Sequence, residues 1–380
     1  MDSFTFYNPT RIHFGTGMIS LLGKELSSAG ISKVLLVAGG GSIRKNGVYD
    51  QVVVSLDKYN IKWAEGWGVR ANPELNKAIE LIELARSKKV EAILAVGGGS
   101  VLDTGKASAA GFYLNELWNA FTRKEAIVRA LPLYTVLTLS ATGSEMNGNA
   151  VITNTSEQKK WAISSPLLYP AVTIIDPSVQ CSLPFNQTVN GALDATAHIL
   201  EYYFADSKSK TTPSINEALL KTIVQVTDIL KTNPCDLSSR GDLAWCATLA
   251  LNGLSGIGMK GGDWACHQIE HAISALRPEI AHGEGLGVIF PAWIEYLSEK
   301  DPLSFQRWAK NVWNEETPSQ AVKRFRDKIC SWGAATSLRG LGLREQDLSD
   351  ILEIVLYQKT VGSLFPLTAA DIEALLMLAY

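Results

Sequence analysis

A chain of 380 residues exceeds the roughly 250–300 at which a single hydrophobic core stops growing, so two domains are expected. With 46% hydrophobic residues, 19% charged residues and a mean hydropathy of +0.07, the composition excludes a disordered or fibrous chain. The formal charge of -3, with both signs mixed along the sequence, leaves no basic stripe for a phosphate backbone, and this excludes nucleic acid as a partner.

The opening stretch from Met1 to Pro9 has neither a basic segment nor an apolar one of targeting type, and no uncharged apolar run reaches membrane-spanning length. The expected location is the cytoplasm, with no membrane partner. From there to about residue 180, short apolar runs alternate with helical periodicity, the grammar of a parallel sheet covered by helices. Strands are predicted at 33–38 (KVLLVA), 61–65 and 91–96 (EAILAV), and helices at 47–59 and 74–88. After Asp176-Pro177 glycine and proline thin out and 3.6-residue periodicity takes over. Helices are predicted at 215–232, 242–254, 265–275, 286–296, 321–332 and 345–357. The expected fold class is an α/β dinucleotide-binding domain with a parallel sheet (1–180), followed by an all-helical metal-binding and catalytic domain (181–380).

Two loops share one sequence, Gly39-Gly40-Gly41-Ser42 and Gly97-Gly98-Gly99-Ser100, each after a predicted strand. Glycine lets the backbone approach a diphosphate, and a following helix N-terminus adds unpaired N–H groups. Neither loop has the G-x-G-x-x-G or Walker form, so the argument rests on their occurring as a pair. The first loop carries no acidic residue to hold a ribose 2′-hydroxyl and repel a 2′-phosphate. Arg44 and Lys45 follow it, and the combination favours NADP(H).

Of the five histidines, four fall between residues 198 and 282. Asp194 and His198 are spaced i, i+4 and project from one face of a helix; His267 and His271 repeat the spacing, and His282 stands at a loop or helix start. One carboxylate with several imidazoles suits one divalent ion, Fe2+ or Zn2+, better than Mg2+ or Ca2+. His13 stands apart and reads as structural. The five cysteines, an odd number without a C-x-x-C pair, argue against a disulfide framework or a thiolate metal cluster, and most read as small buried apolar residues, Cys266 among them.

With these motifs in place the sequence resembles the iron-containing alcohol dehydrogenases, and within them the NADPH-dependent butanol dehydrogenase and aldehyde reductase subgroup. The resemblance spans the chain: Thr10-Arg11-Ile12-His13-Phe14-Gly15, both GGGS loops, Asn72-Pro73, Val101-Leu102-Asp103, Thr138, Ala141-Thr142-Gly143-Ser144-Glu145, Asp176-Pro177, Leu183-Pro184, Asp194-x-x-x-His198, His267-x-x-x-His271 and His282-Gly283. It implies that Asp194, His198, His267 and His282 bind one divalent metal and that His271 lies beside the substrate as a proton relay. It further implies that Gly97, Gly98, Gly99 and Ser100 wrap the cofactor diphosphate, with Asp103 in the same motif, that Thr138, Thr142 and Lys160 line the nucleotide, and that Asn72 contacts its ribose side. Gly40 and Ser42 at their positions go with NADP use. The implied reaction is hydride transfer between NADP(H) and a small alcohol or aldehyde of the butanol and butyraldehyde kind, in a homodimer. A dehydroquinate-synthase-like lyase is the competing enzyme class. The mostly neutral segments 190–193 and 263–266 lack the cations its phosphorylated substrate would need. A non-catalytic nucleotide-binding protein is the third possibility.

Overall fold

The computed structural model describes residues 1–205, 209–358 and 360–380. It divides into two compact units, one of Tyr7–Leu183 with Pro234–Ala244, the other of Met1–Phe6, Pro184–Asn233 and Trp245–Tyr380.

The first unit runs β1 (Arg11–Phe14), α1 (Leu22–Ser28), β2 (Lys33–Ala38), α2 (Ser42–Lys45), α3 (Val48–Lys58), β3 (Lys62–Gly66), α4 (Leu75–Lys88), β4 (Ala92–Gly97), α5 (Gly99–Gly111), α6 (Leu117–Phe121), β5 (Leu133–Leu137), β6 (Asn149–Asn154), β7 (Lys159–Ser164) and β8 (Val172–Ile175). Six strands form one parallel sheet in the order β1-β8-β5-β4-β2-β3. Its inner strands β4, β5 and β8 are buried at every residue, which explains why they read as continuous apolar runs and not as alternating ones. The sequence reading does not foresee the antiparallel hairpin β6–β7, whose two short strands form a sheet of their own, touched by an isolated bridge from Glu74 to Thr153, and carry polar residues at both ends. His13 Nε2 lies 3.0 Å from the Glu25 carboxylate of α1.

The second unit is built of helices: α7 (Phe185–Tyr203), α8 (Thr211–Thr232), α9 (Leu237–Ala250, which begins in the first unit), α10 (Ala265–Leu276), α11 (His282–Lys300), α12 (Pro302–Trp308), α13 (Pro318–Ser331), α14 (Asp347–Leu356) and α15 (Ala369–Ala379). An aromatic core of Phe204, Trp293, Phe305 and Trp308 joins α12 to α11 and to the end of α7. Helix α11 begins earlier and ends later than periodicity alone indicates, because Gly283, Gly285 and the internal Pro291 depress its local propensity while packing retains it. Among the described residues no helix is long and apolar enough to cross a membrane.

The cysteine reading needs correction. Cys181 and Cys235 form a disulfide with Cα atoms 4.6 Å apart, and Cys330 is exposed; Cys246 and Cys266 are the buried apolar pair. A separation of 54 residues leaves no spacing signature, and only the return of the chain to the first unit at Pro234 brings the two thiols together.

Candidate functional site

In the first unit the sheet order places β3 on one side of β2 and β4 on the other, so the winding direction reverses between β2 and β4. Open parallel sheets bind ligands in the crevice at such a reversal, beyond the carboxyl ends of the strands. Both GGGS loops leave from those two ends, and the strands feeding them are neighbours in register, Ala38 opposite Val96. Helix α5 starts at Gly99, so the second loop ends on a helix N-terminus. Gly40 and Ser42 lie exposed on the first loop.

Behind the second loop the side chains hold one another. A Cβ at Gly99 would stand 2.4 Å from Cγ2 of Thr142, so glycine is what allows Thr142 to close on the loop. Thr138 donates its backbone N–H to Gly97 O at 2.9 Å. Lys160, on β7, donates to Oδ1 of Asn72 at 2.9 Å; both are buried, and Asn72 sits at a φ of 52, a left-handed backbone that asparagine tolerates. Residues 88 apart in sequence thus meet. The Asp103 carboxylate accepts from Ser144 Oγ at 2.7 Å and from the Val151 N–H at 2.9 Å, so it braces the 144–151 segment. Lys106, one turn further along α5, escaped the sequence reading. It is fully buried and donates to Asn147 O, Asn147 Oδ1 and Asn149 O at 2.8, 3.0 and 2.8 Å.

The acid missing from the first loop's own sequence arrives from β3: Arg44 pairs with Glu65 at 2.9 Å and lies over the rings of Trp67 and Tyr49, at 4.3 and 4.9 Å from their centroids. Glu65 also accepts from Trp67 Nε1, Trp63 Nε1 and the Tyr49 hydroxyl, and these donors hold its carboxyl below the usual range against the opposing effect of burial.

In the second unit α7 carries Asp194, His198 and Glu201 at i, i+4 and i+7, one face of one helix. Helix α10 brings His267 and His271, and His282 opens α11. Asp194 Oδ1 lies 3.7 Å from His198 Nδ1 and 3.8 Å from His282 Nε2. Atoms of Asp194, His267 and His282 fall within 4.8 Å of one another. The His198 and His267 rings are 4.9 Å apart, and His271 lies 5.4 Å from His282 and 6.5 Å from His267. All five predicted residues are therefore in one cluster.

The cluster has the chemistry of a metal site. His198 Nδ1 and His267 Nε2 are buried without a hydrogen-bond partner among the described residues, an arrangement that is costly unless a ligand completes it. Burial, and then the neighbouring imidazoles of His267, His282 and His271, hold His198 well below the usual imidazole range, in the neutral state that ligation requires. Burial pushes the Cys266 thiol well up, which leaves it a core residue. Glu201 was missed by the sequence reading. Its carboxylate accepts the His267 Nδ1–H at 2.6 Å, the His267 backbone N–H at 3.3 Å and the Trp264 N–H, so it fixes the imidazole and caps α10 together. The i+7 spacing from Asp194 was the available signal.

Comparison with known proteins decides the family. Residues 9–177 match the family model for iron-containing alcohol dehydrogenase, and residues 188–380 match that for the C-terminal part of the same family. The chain is an iron-containing alcohol dehydrogenase by family. It is 36% identical to NADH-dependent butanol dehydrogenase A of Clostridium acetobutylicum over 98% of each chain. To the NADPH-dependent aldehyde reductase YqhD of Escherichia coli it is 34% identical, over 93% of this chain and 92% of that one. A crystal structure of NADH-dependent butanol dehydrogenase A from Thermotoga maritima matches with a TM-score of 0.97 at 47% identity, covering 100% of this chain and 99% of that one. As a member of this alcohol dehydrogenase family the chain is an oxidoreductase of alcohols and aldehydes.

Proposed function

We propose that this alcohol dehydrogenase interconverts a small primary alcohol and its aldehyde, of butanol and butyraldehyde size, with NADP(H) and one divalent metal, Fe2+ or Zn2+. The observation that carries the reading is the convergence of Asp194, His198, His267 and His282, with partnerless imidazole nitrogens and a carboxylate setting the His267 tautomer. When bound there, a divalent cation supplies Lewis acidity toward the substrate oxygen. His271, not assigned to ligation, carries the proton between that oxygen and solvent. Gly97, Gly98, Gly99 and Ser100 cradle the cofactor diphosphate, Thr138, Thr142 and Lys160 line the nucleotide, Asn72 takes its ribose side, and Asp103 braces the wall behind. NADP(H) over NAD(H) is supported by the acid-free loop with Gly40 and Ser42 and by Lys45. The Arg44–Glu65 pair weakens the same argument, and the relatives carry names with either cofactor.

We also infer a homodimer. β1 borders the sheet with one side unpaired among the described residues, and Phe4, Phe6 and Tyr7 just before it are exposed. A monomer by light scattering overturns that inference.

The test follows reduced-nicotinamide absorbance with butyraldehyde, using NADPH and separately NADH, before and after chelation and with Fe2+ or Zn2+ restored. Metal-dependent oxidation that is faster with NADPH is the expected result. Oxidation that prefers NADH overturns the cofactor assignment alone. No oxidation with either cofactor across several aldehydes, in metal-loaded protein, overturns the reaction and favours the lyase.

A further inference from the structure

Glu270 is a fully buried carboxyl with no part in the reading above. It sits on α10, three residues after His267, and one oxygen accepts from Nδ1 of His282 while the other accepts from the Ser274 hydroxyl one turn further along the helix. The start of α11 is shaped around it: a Cβ at position 285 would lie 2.9 Å from Glu270 Cγ, so Gly285 makes room for this side chain. A carboxylate removed from water is tolerated only where its oxygens are satisfied, and here both are.

We propose that Glu270 is the positioning residue for His282, fixing its proton on Nδ1 so that Nε2 is presented toward Asp194. The proposal rests on the metal reading and extends it. A neutral imidazole has one N–H and one lone pair, so commitment of Nδ1 to a carboxylate decides which nitrogen can ligate. Nε2 of His282 lies 3.8 Å from Asp194 Oδ1, on the side of the cluster that the ligand set defines. Glu201 does the same for His267, whose Nε2 is the atom left without a hydrogen-bond partner. Two carboxylates outside the ligand set thus write the tautomers of two ligands on different helices. Atoms of Glu270, His271 and His282 also fall within 4.8 Å of one another, a spacing compatible with a second ion. His282 Nδ1 is already engaged by Glu270, and the number of ions bound separates the two arrangements.

The test titrates metal-depleted wild type, E270Q, S274A, H282A and H282A/E270Q with Co2+ against a chromophoric chelator and records the visible Co2+ spectrum. Thermal unfolding of the metal-free proteins and NADPH fluorescence titration serve as controls for folding. The expected result is one ion per chain, roughly 10- to 100-fold weaker binding with an altered spectrum in E270Q, and no additional loss when E270Q is placed on H282A. S274A keeps the carboxylate and removes one donor. It is expected to weaken binding several-fold, and it carries the test if E270Q does not fold. Unchanged affinity and spectrum in E270Q, or in S274A where that variant carries the test, overturns the proposal, as does an equal loss on the H282A background. Two ions in wild type, falling to one in E270Q, make Glu270 a ligand and overturn it as well. A wild-type chain that binds no divalent metal overturns the metal reading along with it.

Discussion

The glycine-loop crevice and the histidine cluster use the chain in opposite ways. In the crevice the surface proposed to bind is backbone, and the nearby side chains are turned to one another: Asp103 to Ser144 and Val151, Lys106 to Asn147 and Asn149, Lys160 to Asn72. In the cluster the surface proposed to bind is side-chain nitrogen and oxygen, and two further carboxylates, Glu201 and Glu270, hold the His267 and His282 imidazoles. A backbone site is lost by adding atoms, whereas a side-chain site is lost by removing them. The two are therefore expected to fail separately.

The sharpest way to break that separation is His267→Ala. It removes a proposed ligand, the imidazole that Glu201 holds, and we expect turnover to fall by about 10³-fold or more, since several kcal/mol of transition-state stabilisation depend on the proposed centre. NADPH binding, read by fluorescence titration, stays within about twofold; a parallel collapse would show that the two regions are one unit energetically. Next in size is Gly99→Ala. The added methyl meets Thr142, and overpacking of about 1–3 kcal/mol corresponds to a loss of roughly 10- to 100-fold in nucleotide affinity. Metal content by elemental analysis remains that of wild type, and loss of metal would refute the separation from the other direction.

The smallest effect concerns Lys106. Burial, opposed by the charges of Asp103 and Glu145, pushes its ammonium down to about 8 from the usual 10.5. Between those values the unfolded chain binds the proton that the folded chain has released, so stability rises with pH across this window; below it the cost of the buried charge is present in full. Urea unfolding should therefore show the stability of wild type climbing relative to Lys106→Met by roughly 1 kcal/mol per pH unit from pH 8 to 10. A flat difference would mean that Lys106 keeps its proton throughout.

Much of this was legible beforehand. The strands at 33–38 and 91–96, the paired GGGS loops and the Asp194, His198 and His267, His271 spacings are local patterns with a local cause, glycine freedom or helical period, and the structure places each on the expected element. Helix α7 is one such case: a four-residue spacing implied that Asp194 and His198 share a face. Glu201 lay on that face too, but a glutamate in a helix has many ordinary uses, and nothing local marks it as a partner of His267. The β6–β7 hairpin was missed because its strands are short and polar-ended, and Arg44 of α2 was read without Glu65, which pairs with it from strand β3.

What the sequence determined alone is therefore the inventory: two kinds of glycine- and histidine-bearing segment, an α/β region followed by a helical one, and a set of residues matching the iron-containing alcohol dehydrogenases. Tertiary structure decided adjacency. It put β2 beside β4, so that the two identical loops face one crevice. It joined Cys181 to Cys235 against the cysteine count, tied Lys160 to Asn72, and placed Glu201 and Glu270 on the outer nitrogens of two histidines. The physical reason is range. Backbone preference and periodicity act over a few residues, whereas pairing between distant segments depends on how buried surfaces pack, and that information is spread over the whole chain.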